Sequence, residues 1–244
     1  MAERLLKIQG GGGVGVIAAT EKSYSGYNDA LAYGIFDAIW PGFTPMYGLK
    51  NYGTYTTFTS PTYEVGEIMD LGLLRMSETW GNSLLQKRLY HCFGDPSMML
   101  YTETPKNFVE PVVRINNDTL YVNVSEEECR INIVDNTTND VQSYLGNSIN
   151  QYVGGSDISV CIDKHNYVPY VWSRNVYLQN ENLLSENREY HAQNVRVGKH
   201  VTEQRPQGNV NITNSRVFIK ANNVLLDKGT YINVGSTFKI KTTN

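Results

Sequence analysis

Three cysteines and four histidines are the residues that could supply this 244-residue sequence with a thiol nucleophile and its base. His91 and Cys92 are adjacent, and in the helix predicted for this segment their side chains diverge by about 100°. Cys161 and His165 share one face of a predicted strand, but they lie about 13 Å apart along it. A cysteine nucleophile needs an imidazole within hydrogen-bonding reach. We therefore predict no catalytic pair among these residues.

The other cysteines and histidines are predicted to have structural rather than catalytic roles. Cys129 and Cys161 either form a disulfide between two strands or pack as small buried thiols in a β domain. The three cysteines are too few and too scattered for a disulfide framework or a metal cluster. His191 and His200 lie in a polar segment and are expected to be solvated. No metal site and no cofactor are predicted.

Glycines also suggest a phosphate-binding loop, because Gly10–Gly13 lie next to a predicted strand. The glycines precede the strand Val14–Ala19, whereas a phosphate loop follows its strand and opens the next helix. No Gly-Lys-Ser/Thr sequence begins that helix. The order of the elements therefore excludes this hypothesis.

Residues 1–105 have an α/β pattern. The continuous apolar run Val14–Ala19 is typical of a strand buried on both faces in a parallel sheet. Helices are predicted from Ser25 or Asn28 to Ile39, from Pro61 to Trp80 and over Ser83–His91, with a strand at Met98–Tyr101. One parallel strand and one later strand cannot complete a sheet. The segment therefore resembles the last part of a doubly wound domain.

Residues 106–172 change to an all-β pattern. Short alternating runs separated by Asn, Asp and Gly turns indicate an immunoglobulin-like sandwich. Strands are predicted at Val112–Ile115, Thr119–Val124, Cys129–Val134, Val141–Leu145 and Ile158–Ile162.

Residues 173–244 repeat short apolar runs between Asn and Gly turns. This pattern favours a short β-solenoid or β-roll, although an ordinary β-meander would give a similar one. The predicted runs are Asn194–Val197, Asn209–Ile212, Val217–Ile219, Asn223–Leu226 and Thr237–Ile240.

Charge and hydropathy limit the possible partners. A net charge of -3 lacks the concentrated basic face that nucleic-acid binding requires. The apolar runs are shorter than the roughly 20 residues of a membrane span. Met1–Gly10 has no apolar core of a signal peptide. Either the chain stays in the cytoplasm, or Met1 is not the native start of the polypeptide.

Three motifs in order resemble the end of the catalytic domain of gingipain-type cysteine peptidases. They are Gly13–Thr20 with the following Ser23-Tyr24, then Phe93–Met98, and last Asp163–Tyr170, which resembles the final strand of the second domain. The resemblance implies a caspase-like α/β domain followed by an immunoglobulin-like domain. It covers residues 1–172; residues 173–244 more loosely resemble β-rich C-terminal modules of secreted bacterial proteins.

The resemblance also bears on the site. In this family a catalytic His and then a Cys precede the strand that is Val14–Ala19 here, and no His or Cys lies upstream of Val14. No catalytic residue is therefore assigned. The family's loop after this strand helps to wall the substrate pocket, which implies that role for Thr20, Lys22, Ser23 and Tyr24. An ordinary βα loop with a surface tyrosine is the alternative, and Glu21 and Asp29 are expected to be surface and cap charges.

Two functions from different classes remain. The first is the C-terminal portion of a secreted or surface cysteine endopeptidase that acts on proteins or peptides, inactive on its own. The second is a surface binding or attachment module built on the β domains. If the strand Val14–Ala19 has lost its parallel neighbours, we expect the chain to aggregate or dimerise through it.

Overall fold

The computed structural model of the chain describes residues 15–47 and 54–242. The glycine run Gly10–Gly13 and Val14, the first residue of the predicted strand, lie outside the described residues. The chain divides into two compact units, residues 1–104 and 105–244. No helix among the described residues is both long enough and apolar enough to cross a membrane.

Three helices and two strands make up the described part of the first unit. In chain order they are β1 (Gly15–Ala19), α1 (Ser25–Ile39), α2 (Val65–Thr79), α3 (Leu84–Leu89) and β2 (Tyr90–Gly94). Glycines bring α1 and α2 close together, since a methyl group at Gly34 would lie 2.9 Å from the Gly72 Cα. Ala30, Leu31, Met76 and Tyr90 form a small apolar core in this unit.

The prediction of a parallel strand is wrong. β1 pairs antiparallel with β2, with Gly15 opposite Gly94 and Ala19 opposite Tyr90, and every residue of β1 is half-buried. The first two residues of β2, Tyr90 and His91, are residues that the sequence assigns to the end of a helix. They are extended instead because α3 ends at Leu89 and the aromatic residues that follow favour an extended chain.

The helix ends differ from the predictions at their N-termini. α1 is preceded by Tyr24, which makes no side-chain cap, so neither Ser25 nor Asn28 acts as the cap. α2 begins after Glu64 rather than near Pro61. Ser83 does cap α3, because its Oγ accepts a hydrogen bond from the Gln86 N–H at 3.3 Å. The predicted strand Met98–Tyr101 is reduced to a single bridge that joins Met99 to Glu64.

A buried ion pair joins α1 to α2. The Arg75 guanidinium donates to the Asp37 carboxylate at 2.5 Å, and both side chains are almost fully buried. Asp37 also accepts the Gly42 N–H at 2.8 Å. The ring of Phe58 lies 4.4 Å from the guanidinium carbon, and the ring of Tyr55 lies 4.8 Å from it. Hydrogen bonds and aromatic faces therefore replace much of the hydration that this pair loses on burial.

The second unit begins with antiparallel strands in two sheets. They are β3 (Val112–Asn116), β4 (Thr119–Asn123), β5 (Arg130–Asp135), β6 (Val141–Leu145), β7 (Ser148–Tyr152) and β8 (Ile158–Asp163). One sheet has the order β3-β4-β7, while β6, β5 and β8 belong to the other. Side chains from both sheets share one apolar core, which includes Leu120, Ile131 and Val160. The predicted strand Val141–Leu145 is confirmed, whereas β7, with only two apolar residues in five, is not predicted.

The rest of the second unit alternates between two parallel sheets. Its strands are β9 (Tyr170–Leu178), β10 (Glu181–Leu184), β11 (Asn187–Val197), β12 (Val210–Thr213), β13 (Arg216–Leu226), β14 (Thr230–Ile232) and β15 (Thr237–Thr242). The odd-numbered strands extend the sheet of β8 in the order β8-β9-β11-β13-β15, and the even-numbered strands form the order β10-β12-β14. Residues from both sheets, among them Val195, Ile212 and Ile219, share an apolar core.

Asparagine side chains link the parallel strands in register. The Asn194 amide donates to the Asn175 carbonyl oxygen at 3.0 Å, and the Asn223 amide donates to that of Asn194 at 2.9 Å. A second row joins Asn211 to Asn182 at 2.7 Å. Because each bond requires identical residues to stack, a slipped register would break the whole row.

β9 crosses the predicted domain boundary between residues 172 and 173. It pairs antiparallel with β8 and parallel with β11, so the sheet is continuous where the sequence predicts a break. The predicted final strand at Asp163–Tyr170 is also wrong. A turn closed by the Tyr167 N–H and the Lys164 carbonyl oxygen, 3.0 Å apart, occupies much of that segment.

Candidate functional site

The loop from Thr20 to Tyr24 connects β1 to α1 and contains the residues predicted to wall a substrate pocket. At its start, the Thr20 N–H and hydroxyl both donate to the Leu89 carbonyl oxygen, at 2.8 and 3.2 Å. At its end, the Tyr24 N–H donates to the Gln86 side-chain oxygen at 3.4 Å. Gln86 is buried. Both ends of the loop are therefore attached to α3.

The loop presents its side chains outward. Thr20, Lys22 and Tyr24 are exposed, and Ser23 is half-buried. Tyr24 is the most prominent, with 68% of its surface accessible. Backbone anchoring with exposed side chains is an arrangement that can contact a ligand.

The start of α1 is packed tightly behind this loop. A methyl group at Gly26 would overlap the Trp80 indole ring. The Tyr90 hydroxyl donates to the Asn28 side-chain oxygen, which links α1 to β2. The position of the loop therefore depends on contacts from three elements of the first unit.

The sulfur and imidazole groups do not form a nucleophile and base. His91 and Cys92 lie on β2 rather than on a helix, and consecutive strand residues face opposite sides. His165 lies in the turn beyond β8 rather than on the strand of Cys161. The His200 imidazole lies 2.8 Å from the exposed Glu203 carboxylate.

Two of the thiols have the wrong pKa for nucleophilic attack. Burial raises the pKa of Cys129, and its sulfur donates to the Glu126 carbonyl oxygen at 3.2 Å. Burial, and then the Asp163 carboxylate, raise the pKa of Cys161. Both shifts favour the thiol, whereas a catalytic cysteine needs a lowered pKa. Both cysteines are free thiols rather than the disulfide that was left open.

His191 is not solvated as the sequence suggests. Its Nε2 atom lies 3.0 Å from the Glu189 carboxylate. The centroid of its ring lies 4.8 Å from that of the Tyr170 ring. Among the described residues, its buried Nδ1 has no hydrogen-bond partner. Strand pairing places His191 beside Trp172 on β9 and beside Lys220 on β13. The number of residues from Trp172 to His191 differs from the number from His191 to Lys220, so no regular spacing in the sequence reveals that these residues are neighbours.

A cleft of about 600 Å³ in the second unit includes His191 in its lining. Residues of segment 107–110 and of strands β9, β11, β13 and β15 contribute to its lining. The lining combines aromatic and charged groups: Phe108, Glu110, Tyr170, Glu189, His191, Phe218, Lys220 and Lys241. The described residues contain no group of three or more His, Cys, Asp or Glu side chains that could hold a metal ion.

Residues 1–101 match the sequence model of Peptidase family C25. The fold is similar to that of the Arg-specific cysteine proteinase gingipain R (RgpB), with 16% identity and a TM-score of 0.53. The structure of the Porphyromonas gingivalis RgpB pro- and mature domains gives 15% identity and a TM-score of 0.53. No curated protein matches the sequence.

The alignments with these structures are partial. Each covers 70% of this chain but only 39% of the gingipain R chain and 41% of the chain in the complex. The chain therefore corresponds to less than half of either solved protein, and at this level of identity the likeness concerns the fold.

Proposed function

We propose that this chain, whose residues 1–101 match Peptidase family C25, supplies the C-terminal portion of a gingipain-type cysteine endopeptidase. The family match over residues 1–101 is the observation that carries the proposal. The complete enzyme would cleave proteins or peptides. Its catalytic His and Cys would be contributed by sequence that precedes β1 in the family.

The loop Thr20–Tyr24 would wall the pocket for the residue before the cleaved bond. Its attachment to α3 at Thr20 and Tyr24 supports this role, because pocket walls need a fixed backbone. In an active form of the enzyme, Tyr24→Ala should raise KM about tenfold with a smaller change in kcat. Glu21→Ala, in the same loop, is the matched control. Equal effects of the two substitutions on KM would contradict the proposal that this loop forms a wall of the pocket.

The chain by itself should not hydrolyse peptides. The raised pKa values of Cys129 and Cys161 support this expectation, as does the divergence of His91 and Cys92 on β2. Purified protein tested against a panel of fluorogenic peptides should give no turnover. Turnover that a thiol alkylator abolishes would overturn the expectation.

The DNA upstream of Met1 tests the proposed relation to a complete enzyme. An in-frame extension that encodes a signal peptide, a His and a Cys is the expected result. Such an extension would also support an extracellular or cell-surface location for the complete protein. An in-frame stop codon directly before Met1 would contradict the proposal.

We interpret the second unit as an immunoglobulin-like sandwich that continues into a short β-solenoid. The shared core of the two antiparallel sheets supports the sandwich. The alternation of the chain between two parallel sheets and the asparagine rows support the solenoid. A crystal structure in which β11, β13 and β15 do not stack in register would contradict this interpretation.

Self-association through Val14–Ala19 is a further part of the proposal. Among the described residues β1 has a single neighbour, β2, so the other edge of the strand can accept a partner. Light scattering should show dimers or aggregates of the whole chain. A stable monomer would count against it.

Binding or attachment by the second unit is the alternative function. The cleft beside His191 is the observation in its favour, because concave sites with aromatic and polar linings commonly bind ligands. Retention of residues 108–244 on a glycan array would favour this function over proteolysis.

A further inference from the structure

Charge is unevenly distributed across the cleft beside His191. Lys220 forms an ion pair with Glu110, and its side chain is 11% exposed whereas that of Glu110 is 52% exposed. His191 pairs with Glu189, with exposures of 17% and 56%. In both pairs the group that can carry positive charge is the less exposed partner and the carboxylate reaches solvent. Both carboxylates also line the cleft, but in each pair they are the more exposed group and the hydrogen-bond donor is the less exposed one.

Two further groups add to these donors. Lys241 lies opposite Lys220 in the parallel register of β13 and β15 and also lines the cleft. The two ammonium groups repel each other, and burial together with Lys241 lowers the pKa of Lys220. Burial, followed by the charge of Glu189, raises the pKa of Tyr170 to about 12. Like any tyrosine hydroxyl at neutral pH, that of Tyr170 is protonated and can donate a hydrogen bond.

Apolar side chains complete the lining. Phe108, Phe218 and Val168 belong to it, and the Phe108 ring packs against Tyr167 with 4.8 Å between ring centroids. A volume of about 600 Å³ suits a ligand the size of a single capped amino acid or a short peptide end.

We propose that this cleft binds a carboxylate attached to an aromatic or aliphatic group. The carboxylate would share Lys220 with Glu110 and accept hydrogen bonds from Lys241 and Tyr170, while its apolar group contacts Phe108 and Phe218. An anion at this point relieves the repulsion between the two lysines. The ligand is either a small free acid or the C-terminal residue of a peptide, since both present the same chemistry. The proposal does not depend on peptidase activity.

Isothermal titration of the whole chain with N-acetylphenylalanine tests the carboxylate. We expect binding with a Kd of about 1 mM or tighter and at least about tenfold weaker binding of N-acetylphenylalanine amide. Equal affinity for acid and amide, or no heat from the acid, would overturn the proposal. A six-residue peptide ending in phenylalanine separates the two ligand sources. Tighter binding than that of the capped amino acid supports a peptide end, and equal binding supports a free acid.

Substitutions locate the site. Lys220→Met and Lys241→Met should each weaken binding of the acid by about fivefold or more. Lys239→Met is the matched control, because Lys239 lies two residues from Lys241 on β15 and is absent from the lining of this cleft. It should change the affinity by less than about twofold. Phe218→Leu should weaken binding of both acid and amide without removing the preference for the acid. Thermal melting of each variant establishes that it is folded, and a folded Lys241→Met protein with unchanged affinity would refute the proposed site.

Discussion

Replacing Arg75 with methionine should destabilise the first unit by about 3–5 kcal/mol, because the Asp37 carboxylate then stays buried without its cation. Methionine retains much of the length of the arginine side chain, so lost packing makes a smaller contribution. Among the described residues, the remaining hydrogen-bond partner of Asp37 is the Gly42 N–H at 2.8 Å, and one neutral donor does not replace a guanidinium.

The reverse substitution, Asp37→Asn, should cost less, about 1–3 kcal/mol. Arg75 keeps the Glu78 carboxylate at 3.3 Å and the faces of Tyr55 and Phe58, so its charge remains partly compensated. The asparagine oxygen can still accept the Gly42 N–H. The double variant should be less destabilised than the sum of the two single variants, by about 1–3 kcal/mol.

Urea unfolding monitored by tryptophan fluorescence measures these differences. The sequence has three tryptophans, of which Trp40 and Trp80 lie in the first unit and Trp172 in the second. A Trp172→Phe background therefore makes the signal specific for the first unit, which avoids treating a chain of two units as one transition. Equal costs of the two single substitutions, or an additive double variant, would refute the reasoning.

Three further substitutions test other contacts. Gln179→Leu should destabilise the second unit by about 2–4 kcal/mol and speed proteolysis of residues 199–208. The reason is that the Gln179 oxygen accepts the Thr202 N–H at 3.0 Å and its amide donates to the Arg205 carbonyl oxygen at 2.8 Å. An unchanged rate of proteolysis would contradict this prediction. Gly26→Ala should lower stability by about 1–3 kcal/mol in thermal unfolding because its methyl group meets the Trp80 ring, whereas Gly155→Ala, which meets open space, should be nearly neutral. Since the folded-state pKa of Tyr170 is raised from 10.0 to about 12, the stability that its neutral hydroxyl contributes is complete below pH 10 and is lost as the pH rises to about 12. The difference in unfolding free energy between the parent and Tyr170→Phe should change across that interval and not below it.

Local pattern predicts much of the antiparallel part of the second unit. Val141–Leu145 is recovered with its limits, because alternation and Asn or Gly turns are local signals. β7 is missed because Ser148–Tyr152 has few apolar residues and is stabilised by its pairing with β4. In residues 173–244, the predicted runs Val217–Ile219 and Asn223–Leu226 are parts of one strand, β13. Stacking on β11 keeps the polar residues between them extended.

Pairing between distant segments accounts for the larger errors. The antiparallel partner of β1 lies about 75 residues away and begins within the last two residues of a predicted helix. The cleft near His191 likewise requires the register of β9, β11, β13 and β15. His191, Lys220 and Lys241 are separated by unequal numbers of residues, so no periodicity in the sequence predicts that they are neighbours. The loop Thr20–Tyr24 can be identified from its order after a strand, but its attachment to α3 cannot.

The position of β9 has a consequence for how the second unit folds. One edge of this strand belongs to the antiparallel strands and the other edge to the parallel strands. Its side chains are also divided, with Trp172 in one apolar core and Leu178 in the other. Without β9, neither the antiparallel part nor the parallel part of the second unit would have a complete core. Residues 105–244 should therefore fold in one cooperative step, and a chain cut after Trp172 would leave two pieces that each expose apolar surface.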